Sequence, residues 1–413
     1  MMNRRTFLKK SGFAFLALQS LPTTLMKSLI AEAVEVPKKK GKVFVYIFQR
    51  GGMDGLSLLA PYGDSNYYDL RKNIALAVTG PRPALKLDDH FALNAGMAGL
   101  KKYWDEGTLA LITQAGSPDA GRSHFDSQDY IEWGTPGDRN TPDGFLNRTM
   151  SSLDPIKASP VRAIALQSNM PRVLTGNFPA LSMNNLRDFG IQGSLAQPDE
   201  LKGFESMYQS ATDQIFRGPG KEVFEATELI KAAQSVPGDD RGYPKNGLGN
   251  HLRDIANLIK ANIGLQVAVT EMGGWDTHVN QGDHDGQLTD RLTELSDALA
   301  AFAKDLGPLY GDVCVVTMTE FGRMVKENGN KGTDHGHGSV MMLLGGSVKG
   351  KKIYGQWKDL SKKNLFEERD VPVTTDFRAV LSEVLMDHLG VKNPLPIFPK
   401  FNYSPKNKLK LFG

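Results

Sequence analysis

Val43-Phe44-Val45-Tyr46-Ile47-Phe48 is an unbroken apolar run in which every residue is β-branched or aromatic. A strand that is apolar on both faces must be covered on both faces. The run therefore predicts a central strand of a parallel sheet, sandwiched between helices. It stops in Arg50-Gly51-Gly52-Met53-Asp54-Gly55. In an open α/β sheet, ligands gather at the carboxyl ends of strands, so Asp54 stands where a ligating carboxylate belongs. A Gly-Asp turn is the competing structural reading.

The same pattern recurs along the chain. Thr108–Thr113 reads as a strand and leads to Arg122-Ser123-His124-Phe125-Asp126, where helical spacing begins through Phe125, Tyr130 and Trp133. Ser123 is placed as an N-cap, with Asp126 as its capping-box-like partner. The same helix start, beside Arg122 and His124, would welcome an oxyanion. Gly264–Thr270 is a third strand and runs into Trp275-Asp276-Thr277-His278, with His284 and Asp285 shortly after. Val313, Val315 and Val316 mark a fourth, which ends in Thr319-Glu320-Phe321-Gly322-Arg323. A Gly/Asn/Lys-rich loop then carries Asp334, His335 and His337, with glycines at 336 and 338. Imidazole and carboxylate are the usual ligands of zinc and related ions, and glycine lets the backbone turn closely around one.

Between these runs lie Val161–Gln167 and Ser339–Leu344 as further strands. Lys221–Ala233, Leu252–Ile263, Gln287–Leu306 and Asp376–Leu389 have helical periodicity, and His388 is placed as a helix-end cation. The stripe Leu288, Leu292, Leu295, Leu299, Phe302 and Leu306 is core packing rather than a functional signal. Strands alternating with helices predict a mostly parallel sheet, which sets all four polar clusters on one rim.

The N-terminus reads as a targeting segment. Asn3-Arg4-Arg5-Thr6-Phe7-Leu8-Lys9 matches the twin-arginine export pattern, Gly12–Leu21 is moderately apolar, and Ala31-Glu32-Ala33 offers a cleavage site. The apolar run is too short and interrupted for a membrane span. The expected organisation is a signal peptide over 1–33 and a single α/β domain over 34–413, with an irregular and helical insertion around 170–260. Net charge is +3, with lysines and arginines spread along the chain, so nothing points to a nucleic-acid groove. Cys314 is the sole cysteine, so no internal disulfide is possible; its place inside an apolar strand predicts burial.

The order of these features resembles the alkaline phosphatase superfamily, which includes phosphatases, sulfatases and cofactor-independent phosphoglycerate mutases. The resemblance implies a three-layer α/β sandwich with a mostly parallel central sheet. It implies a first Asp after strand one, a nucleophile at a helix start, an Asp…His pair before a long helix, a strand ending in an acidic ligand, and a late His. Here those positions are Asp54, Ser123, Asp276 with His278, Glu320, and His335 or His337. Phe321 stands where the superfamily has a histidine, and the spacing in GWDTH is shorter than in phosphatases. More closely, RGGMDGLSLLAP, GRSHF, GGWDTH, TEFGR and TDHGHGS resemble an uncharacterised bacterial domain-of-unknown-function family, number 1501, often exported by the twin-arginine route.

The expected function is an exported, metal-dependent hydrolase of a phosphate or sulfate ester. Asp54, Asp276, His278, Glu320, Asp334, His335 and His337 are the candidate ligands of one or two divalent ions: zinc first, with calcium, magnesium or manganese as alternatives. Two points stay open: whether His284 replaces His278, and whether Asp334 is a ligand or orients His335. Ser123 would attack or bind the anion, His124 would add donor character, and Arg122 or Arg323 would steady developing charge. The expected partners are an anionic ester substrate, the twin-arginine translocase and a co-exported protein, and the expected location is the periplasm or cell surface. The alternative is a non-catalytic binding or surface-assembly protein on the same fold.

Overall fold

A computed structural model describes residues 41–153, 159–189, 225–237 and 242–413. The signal-like segment 1–33, much of the stretch around 170–260 and the first residues of the Lys221–Ala233 periodicity lie outside the described residues. The main sheet has nine strands among the described residues: β1 (Val43–Gln49), β2 (Leu109–Gly116), β3 (Ala163–Leu166), β4 (Leu181–Met183), β5 (Val267–Met272), β6 (Val313–Met318), β7 (Ser339–Leu344), β8 (Lys352–Tyr354) and β9 (Thr375–Asp376). Its helices are α1 (Ala98–Asp105), α2 (His124–Trp133), α3 (Phe145–Ser152), α4 (Gly247–Lys260), α5 (Gln287–Leu306) and α6 (Phe377–Asp387), with a further helical stretch at 225–234.

Alternate side chains of β1 serve two separate cores. Val43, Val45 and Ile47 join the apolar faces of α1, α4 and α5. Phe44, Tyr46 and Phe48 join Phe145 and Leu146 of α3 and Phe377, Val380 and Leu381 of α6. The result is three layers, helix–sheet–helix, as the doubly apolar strand requires. Cys314 of β6 is fully buried, and burial pushes its thiol pKa up.

The strand order is β8–β2–β7–β6–β1–β5–β3–β4, with β9 beside β2. β7 runs antiparallel to both of its neighbours, β2 and β6. Every other pairing in this sheet is parallel. The single reversed strand decides where the site forms. β1, β2, β5 and β6 end at one rim, and β7 begins there. In register, Ile47 pairs with Thr270 and Thr317, so β1, β5 and β6 leave the sheet at one height.

Two expectations change. Phe125, counted in the apolar spacing of α2, is 88% exposed. His388 is not a helix-end cation. It is buried, its Nε2–H donates to the Val43 carbonyl at 3.0 Å, and its ring stacks on Phe412. Burial pulls its pKa from 6.5 to about 4.

The sign of that shift gives a test. Above pH 6.5 His388 is neutral in both folded and unfolded chains. As pH falls toward 4 the unfolded chain takes up a proton that the folded chain refuses, so stability drops. His388→Gln keeps an N–H for the Val43 carbonyl and removes the titration. The wild type should lose up to about 3 kcal/mol more than the variant between pH 6.5 and 4, read from chemical denaturation at each pH. Equal losses would overturn the assignment.

Candidate metal centre

Glycines bring the strand exits together after β1. Gly51 (φ +125°) and Gly52 (φ +66°) both hold left-handed backbone. A Cβ on Gly51 would lie 2.8 Å from the Asp276 amide nitrogen, and one on Gly52 would lie 2.6 Å from the Phe321 ring. A side chain at either position would push apart the exits of β1, β5 and β6. Past β5, the fully buried Trp275 anchors the turn by donating from Nε1 to the Met272 carbonyl at 2.8 Å. This fixes Asp276 one residue later. The segments around Gly322 and Gly336 lie against each other: Gly322 N donates to the His337 carbonyl and Gly336 N to the Gly322 carbonyl, each at 2.8 Å. Arg323 and His335 pair between them as an antiparallel bridge.

Three imidazoles and one carboxylate meet at this rim. His335 Nε2 lies 3.1 Å from His124 Nε2 and 3.1 Å from His278 Nε2. Asp276 Oδ1 is 2.9 Å from His278 Nε2 and 3.2 Å from His335 Nε2, and Asp276 Oδ2 is 3.4 Å from His124 Nε2. Ligand atoms of His124, Asp276 and His335 all fall within 4.8 Å of one another, and His278 adjoins them.

The other ring nitrogen of each histidine faces an oxygen. His124 Nδ1 is 2.7 Å from Glu320 Oε1, His278 Nδ1 is 3.1 Å from Asp334 Oδ1, and His335 Nδ1 is 2.9 Å from the Arg122 carbonyl. A proton on each Nδ1 leaves each Nε2 a lone pair for a cation; with no cation there, Asp276 Oδ1 can accept from the Nε2 of His278 and of His335. Facing lone pairs repel unless a proton or cation lies between them. Tetrahedral zinc with ligands at about 2.0–2.1 Å has donor–donor edges of roughly 3.3–3.4 Å, and the separations here run to that value. The donor set fits a divalent transition ion.

Charge favours the same reading. Burial raises the Asp276 pKa, but the hydrogen bond and charge of Arg323, with His278 and His124, outweigh it and hold the carboxyl below its usual range. Burial also raises that of Glu320, and hydrogen bonds from His124 and Gln128 more than offset it. His124 is raised, first by its Glu320 hydrogen bond and against its own burial. His335 is lowered by burial. The rim is thus an anionic cradle holding a neutral imidazole and one with raised proton affinity, a position a cation can take over.

Of the expected ligands, Asp276, His278 and His335 come together, joined by His124, which had been assigned a catalytic role. The others are corrected. Asp54 is 1% exposed and lies under Arg71, whose Nη1 and Nη2 donate to it at 2.6 and 3.1 Å. Ser57 Oγ, Gln281 Nε2 and Leu56 N donate as well, at 2.8, 2.7 and 3.2 Å. This carboxylate caps a helical turn and neutralises a buried arginine. Glu320 stands behind His124: its oxygens accept from His124, Gln128, Gly51 N and Thr319 Oγ1. Asp334 orients His278 and accepts from Asn328; it does not orient His335. His337 stacks on Phe366, ring centroids 4.3 Å apart, with burial pulling its pKa to about 4. Among the described residues His284 accepts from Ala77 N instead of joining the cluster.

The two arginines are corrected too. Arg323 is fully buried and donates to the carbonyls of Gly51, Gly52, Trp275 and Thr333 and to Asp276 Oδ1. It holds Asp276 rather than facing a substrate. Arg122 pairs with Asp370 and Glu367. Ser123 is the N-cap residue of α2, yet its exposed side chain makes no capping hydrogen bond, and Asp126 pairs with Arg139 instead. Gln128 and Glu132 were missed. With His124 they lie at four-residue spacing on one face of α2, and Arg50 bridges them at 3.0 and 2.6 Å. That spacing was the signal available. Arg71 carried none.

An α/β protein with a histidine–carboxylate cluster at the carboxyl ends of its strands is the class that fold and site define. The chain belongs to the family described as protein of unknown function (DUF1501), whose model matches residues 41–395. No curated protein matches it. Among solved structures, the C-terminal periplasmic domain of EcEptC from Escherichia coli, in complex with Zn, is 12% identical and covers 91% of this chain and 92% of its own, with a TM-score of 0.38. A Pseudoalteromonas sulfatase is 12% identical over 89% of this chain and 74% of its own, TM-score 0.32. An alkaline phosphatase superfamily protein from Vibrio parahaemolyticus is 12% identical over 83% and 73%, TM-score 0.31.

The Asp54 correction is testable. Asp54→Asn leaves Arg71 buried without its counter-charge and should destabilise the fold by about 3–5 kcal/mol in chemical denaturation. Zinc uptake by the folded variant should match the wild type. Loss of zinc with unchanged stability would restore Asp54 as a ligand.

Proposed function

We propose that this protein is an exported hydrolase of a phosphate or sulfate ester, built around a single divalent transition ion, zinc by preference. The observation that carries the reading is the convergence of the His124, His278 and His335 Nε2 atoms with Asp276, each imidazole held through Nδ1 by an oxygen acceptor. Three imidazoles suit zinc and its neighbours better than calcium or magnesium, which prefer oxygen. When bound, such an ion supplies Lewis-acid polarisation of an ester oxygen and eases deprotonation of a nearby hydroxyl or water. The chain's own residues do the rest. Glu320, Asp334 and the Arg122 carbonyl keep the lone pairs aimed inward, and Arg323 holds Asp276 charged and in place. Ser123, exposed and uncommitted as a cap, stands beside His124 at the positive end of α2, where an attacking or anion-binding hydroxyl belongs. One ion rather than two is supported by Phe321. Its ring packs 4.8 Å from that of His124 and 4.9 Å from that of His335, and fills space with an apolar group where the resemblance expects another imidazole.

A second reading has its own support. Arg122 and Arg323, expected to steady developing charge, are both committed to internal carboxylates and carbonyls. A metal-loaded binding or surface-assembly protein, with a co-exported partner, needs no such arginine. The readings separate on an aryl phosphate and aryl sulfate panel. Turnover abolished by Ser123→Ala with metal retained supports the hydrolase. Absence of turnover in metal-loaded protein supports the binding role.

Purified protein should carry about one equivalent of zinc by elemental analysis. His335→Ala should abolish it. Glu320→Gln, one layer out, should weaken zinc binding about 10- to 100-fold while the fold persists by circular dichroism. Wild-type protein that takes up no metal ends the reading. Export by the twin-arginine translocase to the periplasm or cell surface rests on Arg4 and Arg5. The double variant Arg4→Lys, Arg5→Lys should leave the chain in the cytoplasmic fraction; unchanged export would exclude that route.

A further inference from the structure

Four large apolar side chains are exposed among the described residues: Tyr68, Phe125, Val279 and Leu395. Two of the four directly follow histidines of the rim cluster, Phe125 after His124 and Val279 after His278. Single apolar residues on a surface are ordinary. Two that flank one polar centre call for a reason, because an apolar side chain gains nothing from water until something covers it. Phe125 is the most open of the four, at 88% against 50% for Val279.

The helix fixes where Phe125 stands. His124, Gln128 and Glu132 share the face of α2 that meets the strand exits, while Ser127 and Ile131 are buried. At about 3.6 residues per turn, Phe125 falls on the flank beside the His124 face and nearly opposite Ser127 and Ile131, clear of the core. A side chain in the first helical turn also leans toward the N-terminus, here toward Ser123 and His124. The polar side chains around it already have partners. Arg122 pairs with Asp370 and Glu367, and Asp126 with Arg139. Gln128 donates to Glu320 and accepts from Arg50. Little remains on this flank to hydrogen-bond the hydroxyls of a sugar, whereas the ring offers apolar area and dispersion.

We propose that Phe125 is a specificity-determining residue: its ring packs on an apolar alcohol group of the ester whose acid group lies at the histidine cluster. The inference rests on the hydrolase reading above and names its substrate class, an ester of an aryl or alkyl alcohol rather than of a sugar. A ring and a chain share this chemistry, and the test separates them.

The zinc-loaded full chain is titrated calorimetrically with phenyl-, hexyl- and methylphosphonate, and with benzene-, hexane- and methanesulfonate, acids with no ester bond to cleave. In at least one series the aryl or hexyl acid should bind at least about tenfold tighter than the methyl acid, and the tighter of the two names the alcohol. Phe125→Ser should bring that ratio to within about threefold, with zinc content, melting temperature and affinity for the methyl acid unchanged; Phe125→Tyr should keep the ratio. A ratio below about tenfold in both series, or one that survives Phe125→Ser, would overturn this inference and leave the hydrolase reading standing. Protein that takes up no zinc, or takes it up and binds none of the six acids, would overturn both.

Discussion

The buried guanidinium of Arg323 ties the rim together. It lies past the end of β6, yet it donates to the carbonyls of Gly51 and Gly52 after β1, of Trp275 after β5 and of Thr333 before β7. Its remaining contact is the carboxylate of Asp276. A charge this far from water is tolerated only because each of its three nitrogens meets an acceptor and one acceptor is itself charged. Three chain segments, the exits of β1 and β5 and the loop before β7, thereby share one cation. The close approach of their backbones, possible because Gly51, Gly52, Gly322 and Gly336 lack side chains, follows from that need.

On this frame the imidazoles are constrained from behind. Each is fixed through Nδ1 by an acceptor of a different kind: a buried carboxylate for His124, a half-exposed one for His278, and a main-chain carbonyl for His335. The effect is the same in all three, an Nε2 turned toward its neighbours. With the proton on each Nδ1, such a cluster has unfavourable electrostatics when nothing positive lies within it, and this is the physical basis for proposing a metal there. Phe321 and the face of α2 limit the centre. The ring supplies an apolar wall, and His124, Gln128 and Glu132 tie the helix through Glu320 and Arg50 to the ends of β1 and β6.

Most of the architecture was legible in the chain. The doubly apolar Val43–Phe48 run demanded a covered central strand, and the bounds of Gln287–Leu306 and Ser339–Leu344 followed from periodicity and length. That Asp276, His278, Glu320 and His335 would share one rim also followed, because strands of one direction end together. The errors have a common cause. Asp54, Glu320, Asp334, Arg122 and Arg323 are polar residues at strand exits, and the sequence cannot distinguish a group aimed at a ligand from one consumed by its neighbours. Arg71, which takes up Asp54, sits in an ordinary polar stretch with no periodicity to mark it.

By itself, then, the sequence determined the layers, the rim and the residue types available there, because hydrophobic periodicity and glycine placement act locally. Tertiary structure alone decided that β7 runs against its neighbours and begins at the rim where they end. It also decided which carboxylates spend their lone pairs on arginine, glutamine or backbone donors, leaving Asp276 to face the histidines. Those choices depend on hydrogen-bond partners hundreds of residues apart, such as Asp54 with Gln281 or Gly51 with Arg323. Satisfying every buried polar group is a property of the packed chain, and no local stretch contains it.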